Sequence, residues 1–206
     1  MPDSSLQGAN APLGGAGLEL KSSLQASLRG VRQDLLAKLD PLGEYDIRRP
    51  MTPTGTNLLG LVKHVGVVSL GYLSQVFGRE AGVDVAAIMS DDEADLWVKA
   101  SESRQSILDL YAHAAQVSDA TIDALDLDST GVVPWWPPDR RNVTLQVVLV
   151  HLIQEVSRHC GQADIIREMI DGQAGRFPGD PSLPQWNKDD WSAHCRRIEQ
   201  AARAAA

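Results

Sequence analysis

Late in the chain, apolar residues recur at alternating spacings of four and three, which is typical of one face of a helix. The stripe comprises Leu145, Leu149, Leu152, Val156, His159, Ala163, Ile166 and Ile170. The helix is expected to begin near Asn142 or Thr144 and to end at Asp171, with Gly172 as its terminating residue. Every member of the stripe is apolar except His159, so this imidazole is expected to lie at a core position.

Helical periodicity also occurs over residues 22–40, 56–77 and 101–125, and over a shorter segment at 188–204. The segment at 56–77 is apolar on most faces, so neighbouring helices are expected to enclose it on several sides. No segment has the convincing alternation of a strand. Four long amphipathic helices joined by two long connections fit a four-helix bundle. The expected fold is therefore all-α, a four-helix bundle with long connections plus a short C-terminal helix with Trp191, Cys195 and Ile198 facing inward.

A chain of 206 residues suits a single domain. Residues 1–20 are rich in Gly, Ala, Ser and Pro without periodicity, so a flexible leader is expected there and one helical domain over 21–206. The connection at 78–100 contains the acidic run 91–95, interpreted as a solvated loop or helix start. The connection at 126–141 is too rich in proline for a continuous helix.

The acidic charge of the chain disfavours two classes of binding partner. A net charge of −8 and an isoelectric point near 5.0 disfavour binding to nucleic acid or to an anionic membrane surface. No apolar run approaches the ~20 residues that span a bilayer, and the start of the chain lacks the features of a secretory signal. The two cysteines do not form a disulfide framework. A cytoplasmic location is expected.

The chemistry of the long late helix centres on Glu155 and His159, which are four residues apart and therefore side by side on one face. Glu155 lies roughly 90° from the centre of the apolar stripe, at the edge of the core. A carboxylate there is expected to find a metal ion, an arginine such as Arg158 or Arg167, or water. His151 points roughly 130° away from the stripe and is expected to be a surface or rim residue.

The second predicted helix carries a candidate partner, His64, between Leu61 and Val65. If this helix packs beside the late helix, His64 would meet Glu155 and His159. Two imidazoles and one carboxylate with open positions form the ligand set of catalytic zinc and of non-haem iron and nickel sites. In the alternative interpretation, the three side chains only hydrogen-bond one another inside a structural bundle.

The sequences Leu-Leu-Gly-Leu-Val-Lys-His-Val at 58–65 and 151–168 of the late helix resemble the DinB-like superfamily of four-helix bundles. They are more similar to its actinobacterial branch, which is related to mycothiol-dependent maleylpyruvate isomerase. The resemblance covers roughly residues 22–172. It implies the all-α bundle that the periodicity also predicts.

Members of that superfamily hold a divalent metal between a histidine on the second helix and a pair four residues apart on the fourth, Glu then His in the mycothiol branch. The resemblance therefore implies His64, Glu155 and His159 as metal ligands, for zinc, nickel or iron. Many relatives of this branch also have a histidine at the position where this chain has Gln162. At this position the chain departs from the pattern of the branch.

The resemblance further implies a low-molecular-weight thiol such as mycothiol as cofactor, and S-transfer or isomerisation of a small electrophile. Trp135, Trp136, Arg140 and Arg141 precede the late helix and would give an acidic cofactor an aromatic wall and a cationic contact. In the alternative, the two tryptophans seal the end of the bundle. A non-catalytic metal-binding or dimerising bundle of the stress-response type is the competing function. A homodimer is compatible with the apolar second helix.

Overall fold

The computed structural model of the protein describes residues 14–88 and 95–206. Its elements in chain order are α1 (Gly14–Ala37), α2 (Glu44–Arg48), α3 (Leu58–Leu73), α4 (Val85–Ile88), α5 (Arg104–Ala124), β1 (Thr130–Val132), β2 (Asn142–Thr144), α6 (Leu145–Asp171) and α7 (Lys188–Ala204). The predicted all-α class is confirmed. Among the described residues, no helix is both long and apolar enough to cross a bilayer.

The four long helices α1, α3, α5 and α6 share one core. α3 packs on both α5 and α6, and α1 packs on α6. The remaining side is closed between α1 and α5, where the hydroxyl of Tyr111 donates to the carbonyl of Arg32 at 2.9 Å. Leu28, Leu59 and Leu149 come from three of these helices and are almost completely buried in the same cluster. As the apolar pattern predicts, nearly every residue of α3 is buried.

α6 has the bounds that its sequence predicts. The Thr144 hydroxyl accepts a hydrogen bond from the Val147 amide and caps the first turn. Gly172 ends the helix in a left-handed conformation at φ 81°, which glycine adopts without steric cost. One uninterrupted helix therefore carries both Glu155 and His159.

The expectation that the chain has no strand is wrong. β1 and β2 form an antiparallel pair in which Thr130 lies opposite Thr144 and Val132 opposite Asn142. Strands of three residues are too short for an alternating pattern to stand out. In β2 only the central residue, Val143, is buried.

Several predicted boundaries also differ. α1 begins at Gly14 instead of residue 22, and α3 ends at Leu73, followed by a 3₁₀ turn at Gln75–Phe77. Two connections between the predicted long helices contain the short helices α2 and α4. Of the predicted leader, residues 1–13 lie outside the described residues, as do residues 91–94 of the acidic run.

α7 has the predicted bounds, but the expectation that Trp191, Cys195 and Ile198 face inward is wrong. α7 has no buried residue, and Ile198 is 55% exposed. Trp191 packs instead against Trp186, with ring centroids 4.9 Å apart. The apolar face of this helix is therefore covered only in part, by the segment that precedes it.

Candidate metal centre

His64 lies on the second turn of α3, on the side that meets α6. The turn before it is fixed by Asn57, whose side-chain oxygen accepts a hydrogen bond from the Gly60 amide at 2.8 Å. The imidazole of His64 is 18% exposed, so it lies at the edge of the core. Because α3 packs directly on α6, this edge faces the turns that carry Glu155 and His159.

The structure brings His64, Glu155 and His159 together. One oxygen of Glu155 lies 3.1 Å from Nε2 of His159 and 3.6 Å from Nε2 of His64. One ligand atom from each of the three residues lies within 4.8 Å of the other two. Arg167, an alternative partner considered for Glu155, pairs instead with Asp171 at 2.8 Å.

The other nitrogen of each imidazole is also held. Nδ1 of His64 lies 2.7 Å from a carboxylate oxygen of Asp95, and Nδ1 of His159 lies 2.7 Å from the side-chain oxygen of Gln162. Such contacts fix the ring orientation and leave the Nε2 lone pair for an ion, as hydrogen-bond partners of metal-binding histidines commonly do. Gln162 thus supports His159.

Asp95 is a site residue that the sequence interpretation missed, because it ends an acidic run that was assigned to solvent. Its side chain is only 10% exposed. The sequence does contain one signal for the burial of Asp95. The apolar residues Leu96 and Trp97 follow it directly, so the acidic run ends where apolar residues begin.

Gly60 permits the close approach that places Asp95. A Cβ at this position would overlap the carbonyl oxygen of Leu96, the residue next to Asp95. The side-chain amide of Asn57 also donates to that carbonyl, at 3.4 Å. The first turn of α3 and the segment around residue 96 therefore touch through their backbones.

The carboxylates control the protonation of the cluster. Burial lowers the pKa of His64, but the hydrogen bond and charge of Asp95, and then Glu155, outweigh it, so that this pKa is raised. Burial raises the pKa of Glu155, but the nearby His159 and His64 outweigh it and lower that pKa. The hydrogen bond from His64 lowers the pKa of Asp95. The site therefore favours positive charge between its carboxylates.

The donor set fits a divalent cation. His64 stands between two carboxylates, but a neutral imidazole has only one N–H to donate. A cation beside Nε2 would satisfy the second contact and balance the charges of Asp95 and Glu155. Atoms bound to one ion at ~2.0–2.2 Å lie at most about 4.4 Å apart, so small side-chain movements would complete the set.

The raised pKa of His64 predicts how the metal-free protein responds to pH. Protonated His64 stabilises the folded state fully below the unfolded pKa of about 6.5, and this contribution disappears as the pH rises through the higher folded pKa. Histidine NMR titration should place the pKa of His64 above about 6.5, and Asp95→Asn should lower it. An unchanged pKa in Asp95→Asn would contradict this assignment.

An aromatic group lies beside the cluster, on the side of α6 that precedes Glu155. His151, expected at the surface or rim, packs its ring 4.8 Å from Tyr72 and 5.1 Å from Trp136. Burial lowers the pKa of His151, partly offset by the charge of Glu155. Since His151 is one turn from Glu155, the aromatic group forms a wall next to the proposed ligands.

The residues suggested for a thiol cofactor fall into two pairs. The indole N–H groups of Trp135 and Trp136 both donate to the hydroxyl of Tyr72, at 3.2 and 2.8 Å. Arg140 and Arg141 are exposed, and within the described part of the chain no carboxylate pairs with them. The structure thus joins the tryptophans to α3, while the cationic contact stays a prediction.

Comparison with known proteins finds a matching family over most of the chain and a solved structure of similar fold. The sequence model of a family described as mycothiol-S-transferase matches residues 23–172, which contain α3, α5, α6 and the cluster. A crystal structure of a "conserved protein of locus" from Enterococcus faecalis is 20% identical, with a TM-score of 0.56 over 74% of this chain and 98% of that chain. At this identity the likeness shows the fold alone. No curated protein matches the sequence.

Proposed function

The chain belongs to the mycothiol-S-transferase family, and on this basis we propose that it is a metal-dependent thiol S-transferase. It joins the sulfur of a low-molecular-weight thiol of the mycothiol type to a small electrophile. The observation that supports the metal requirement is the convergence of His64, Glu155 and His159 from two helices.

The proposed ligands are Nε2 of His64, a carboxylate oxygen of Glu155 and Nε2 of His159, with zinc, nickel and iron all compatible with this set. A divalent ion held there would lower the pKa of a thiol that binds it, so that the sulfur becomes a nucleophile at neutral pH.

The residues around the ligands have separate tasks. Asp95 and Gln162 hold the two Nδ1 atoms and so orient both Nε2 atoms toward Glu155. Trp136 and His151 pack against each other on one side of the site and would limit the access of water there. In transfer to a halide a carbon–sulfur bond forms, the halide departs with the electron pair of its bond to carbon, and the thiol proton passes to solvent. In addition to an α,β-unsaturated carbonyl compound no group leaves, and the α-carbon takes up a proton instead.

An activity assay on the metal-loaded protein tests this function. Mycothiol and 1-chloro-2,4-dinitrobenzene should give the dinitrophenyl thioether, measured by absorbance, in the presence of about one equivalent of zinc, nickel or iron. His64→Ala should lower kcat/KM by at least about a hundredfold, because a catalytic metal ion supplies several kcal/mol of charge stabilisation that is lost with the ion. His194→Ala is the control, since His194 lies on α7 outside the cluster.

Two results would contradict the proposal. One is full activity in His64→Ala. The other is metal-loaded wild-type protein that conjugates no thiol to any of a panel of alkyl halides, nitroaromatic halides and α,β-unsaturated carbonyl compounds. The second result would favour the competing function, a metal-binding bundle without turnover.

A further inference from the structure

We propose that an apolar cavity along α3 binds the carbon skeleton of the electrophile. The inference rests on the proposed function and specifies its second substrate as a compact, mainly apolar molecule, of the size of one aromatic ring, with a hydrogen-bond acceptor. The cavity has a volume of about 240 Å³. Six of the residues that line it are Val68, Gly71, Tyr72, Val85, Ala86 and Trp135.

The cavity continues the face of α3 that carries His64. His64, Val68 and Gly71 are spaced by four and three residues, so they share one face of the helix. His64 and Gly71 are separated by roughly 10 Å along the axis, about the length of a substituted benzene. Side chains of a helix lean toward its N-terminus, so Val68 and Tyr72 lean toward His64.

Because Gly71 has no side chain, the indole ring of Trp135 can pack directly against α3 at the cavity. A Cβ at Gly71 would lie 3.4 Å from the indole carbon Cη2, so the ring packs against bare helix backbone. Trp135 is 49% exposed and forms the outer wall. α4 forms the opposite wall, where Val85 is buried and Ala86 is exposed.

Two polar side chains line this otherwise apolar cavity, those of Tyr72 and Gln75. The hydroxyl oxygen of Tyr72 accepts both indole N–H groups, from Trp135 and Trp136, and so has no lone pair left for another donor. Within residues 14–88 and 95–206, no acceptor takes the proton of that hydroxyl. It is free to donate to a carbonyl or nitro oxygen of a ligand, which is why a hydrogen-bond acceptor belongs to the substrate class.

The lining favours the electrophile over the thiol as the occupant. A hydrophilic thiol would leave its polar groups without partners against aliphatic and aromatic carbon, at a cost of roughly 1–3 kcal/mol each. Larger hollows occur elsewhere, such as one of about 600 Å³ beside Glu44, Arg48 and Gln105, but it contains no residue of α3. The cavity beside Tyr72 thus combines mainly apolar walls with a position on the same face of α3 as His64.

Two neighbouring alanines of α4 provide a matched test. Ala86 lines the cavity, whereas Ala87 is exposed on the same helix and does not line it. In the zinc-loaded full-length protein, unreactive 1,3-dinitrobenzene should shift the NMR signals of the Val67, Val68 and Val85 methyl groups. Ala86→Phe should weaken this binding at least tenfold, and Ala87→Phe should leave it unchanged.

In the transferase assay, Ala86→Phe should affect a large and a small electrophile differently. Ala86→Phe should raise KM for 1-chloro-2,4-dinitrobenzene at least tenfold, while zinc content and kcat/KM for the smaller iodoacetamide stay within twofold. Ala87→Phe should behave as wild type with both.

The outcomes distinguish this inference from the proposed function. Suppose that the protein has no transferase activity but binds dinitrobenzene, and that Ala86→Phe abolishes this binding. This result would contradict the transferase proposal and support the cavity as a binding site for an aromatic molecule. Transferase activity whose KM for chlorodinitrobenzene is the same in Ala86→Phe would overturn the inference alone. Absence of methyl shifts on addition of dinitrobenzene would overturn it as well.

Discussion

His159→Ala is expected to lower the affinity for zinc, nickel or iron by more than about a hundredfold. Loss of a hydrogen-bond partner of a metal ligand already costs ~10–100-fold, and His159 is proposed as a direct ligand. The substitution also leaves Glu155 without its contact at 3.1 Å. Competition against a chromophoric chelator, with the metal content measured by mass spectrometry, gives the affinity.

His113→Ala is the matched control for that experiment. His113 is also a half-buried histidine on a long helix, but its Nε2 contacts the carbonyl of Ala81 at 2.7 Å and lies outside the cluster. Metal affinity equal to wild type in both variants would mean that the cluster does not bind the ion. Loss in both variants would point to a general disturbance of the bundle.

Gly60→Ala is expected to damage the site from a distance, through the backbone. The added methyl group would overlap the carbonyl oxygen of Leu96, so the segment that carries Asp95 must move away from α3. Overpacking of this kind costs about 1–3 kcal/mol of unfolding free energy. Without the contact between Asp95 and His64, metal affinity should fall ~10–100-fold. Urea denaturation and the same chelator competition measure the two effects.

Gly66→Ala is the matched control for Gly60→Ala. It introduces an alanine into the same helix, but without the overlap with the Leu96 carbonyl. A Cβ at Gly66 would meet the backbone of Tyr111 at 3.5 Å, an ordinary contact distance. This variant should bind metal as wild type does. If Gly60→Ala also kept the wild-type affinity and stability, the proposed role of the close approach between Gly60 and Leu96 would be wrong.

The parts of the site on α6 were predictable because local periodicity alone determines them. An unbroken stripe from Leu145 to Ile170 fixes the helix and places His159 at a core position, with Glu155 one turn before it. The cap residues Thr144 and Gly172 then fix the ends. Only the contact with His64 required an assumption about tertiary structure, namely that α3 and α6 are neighbours.

The missed features depend on contacts between distant segments. Asp95 meets His64 across 31 residues of sequence, beside the close approach of Gly60 to the backbone of Leu96. His151 is a polar residue that lies off the apolar stripe, yet its ring packs against the rings of Tyr72 and Trp136. Helix periodicity describes one helix at a time and cannot predict what a neighbouring loop supplies.

The residues that the sequence predicted for thiol binding show the same division. Trp135 and Trp136 lie in a segment whose prolines exclude a helix, and their common hydrogen-bond acceptor, Tyr72, is 63 and 64 residues away. The sequence indicated an aromatic wall but not which helix it joins. Within the described residues, the side chains of the exposed Arg140 and Arg141 make no hydrogen bond or ion pair that would indicate a role for them.

The most direct test of the central claim is a crystal structure of the protein grown with zinc, with anomalous scattering measured at the zinc absorption edge. We expect one strong anomalous peak within about 2.0–2.2 Å of Nε2 of His64, a carboxylate oxygen of Glu155 and Nε2 of His159. Asp95 and Gln162 should remain on the two Nδ1 atoms. A zinc-bound crystal with its peak elsewhere, and with these three side chains hydrogen-bonded only to one another, would contradict the account.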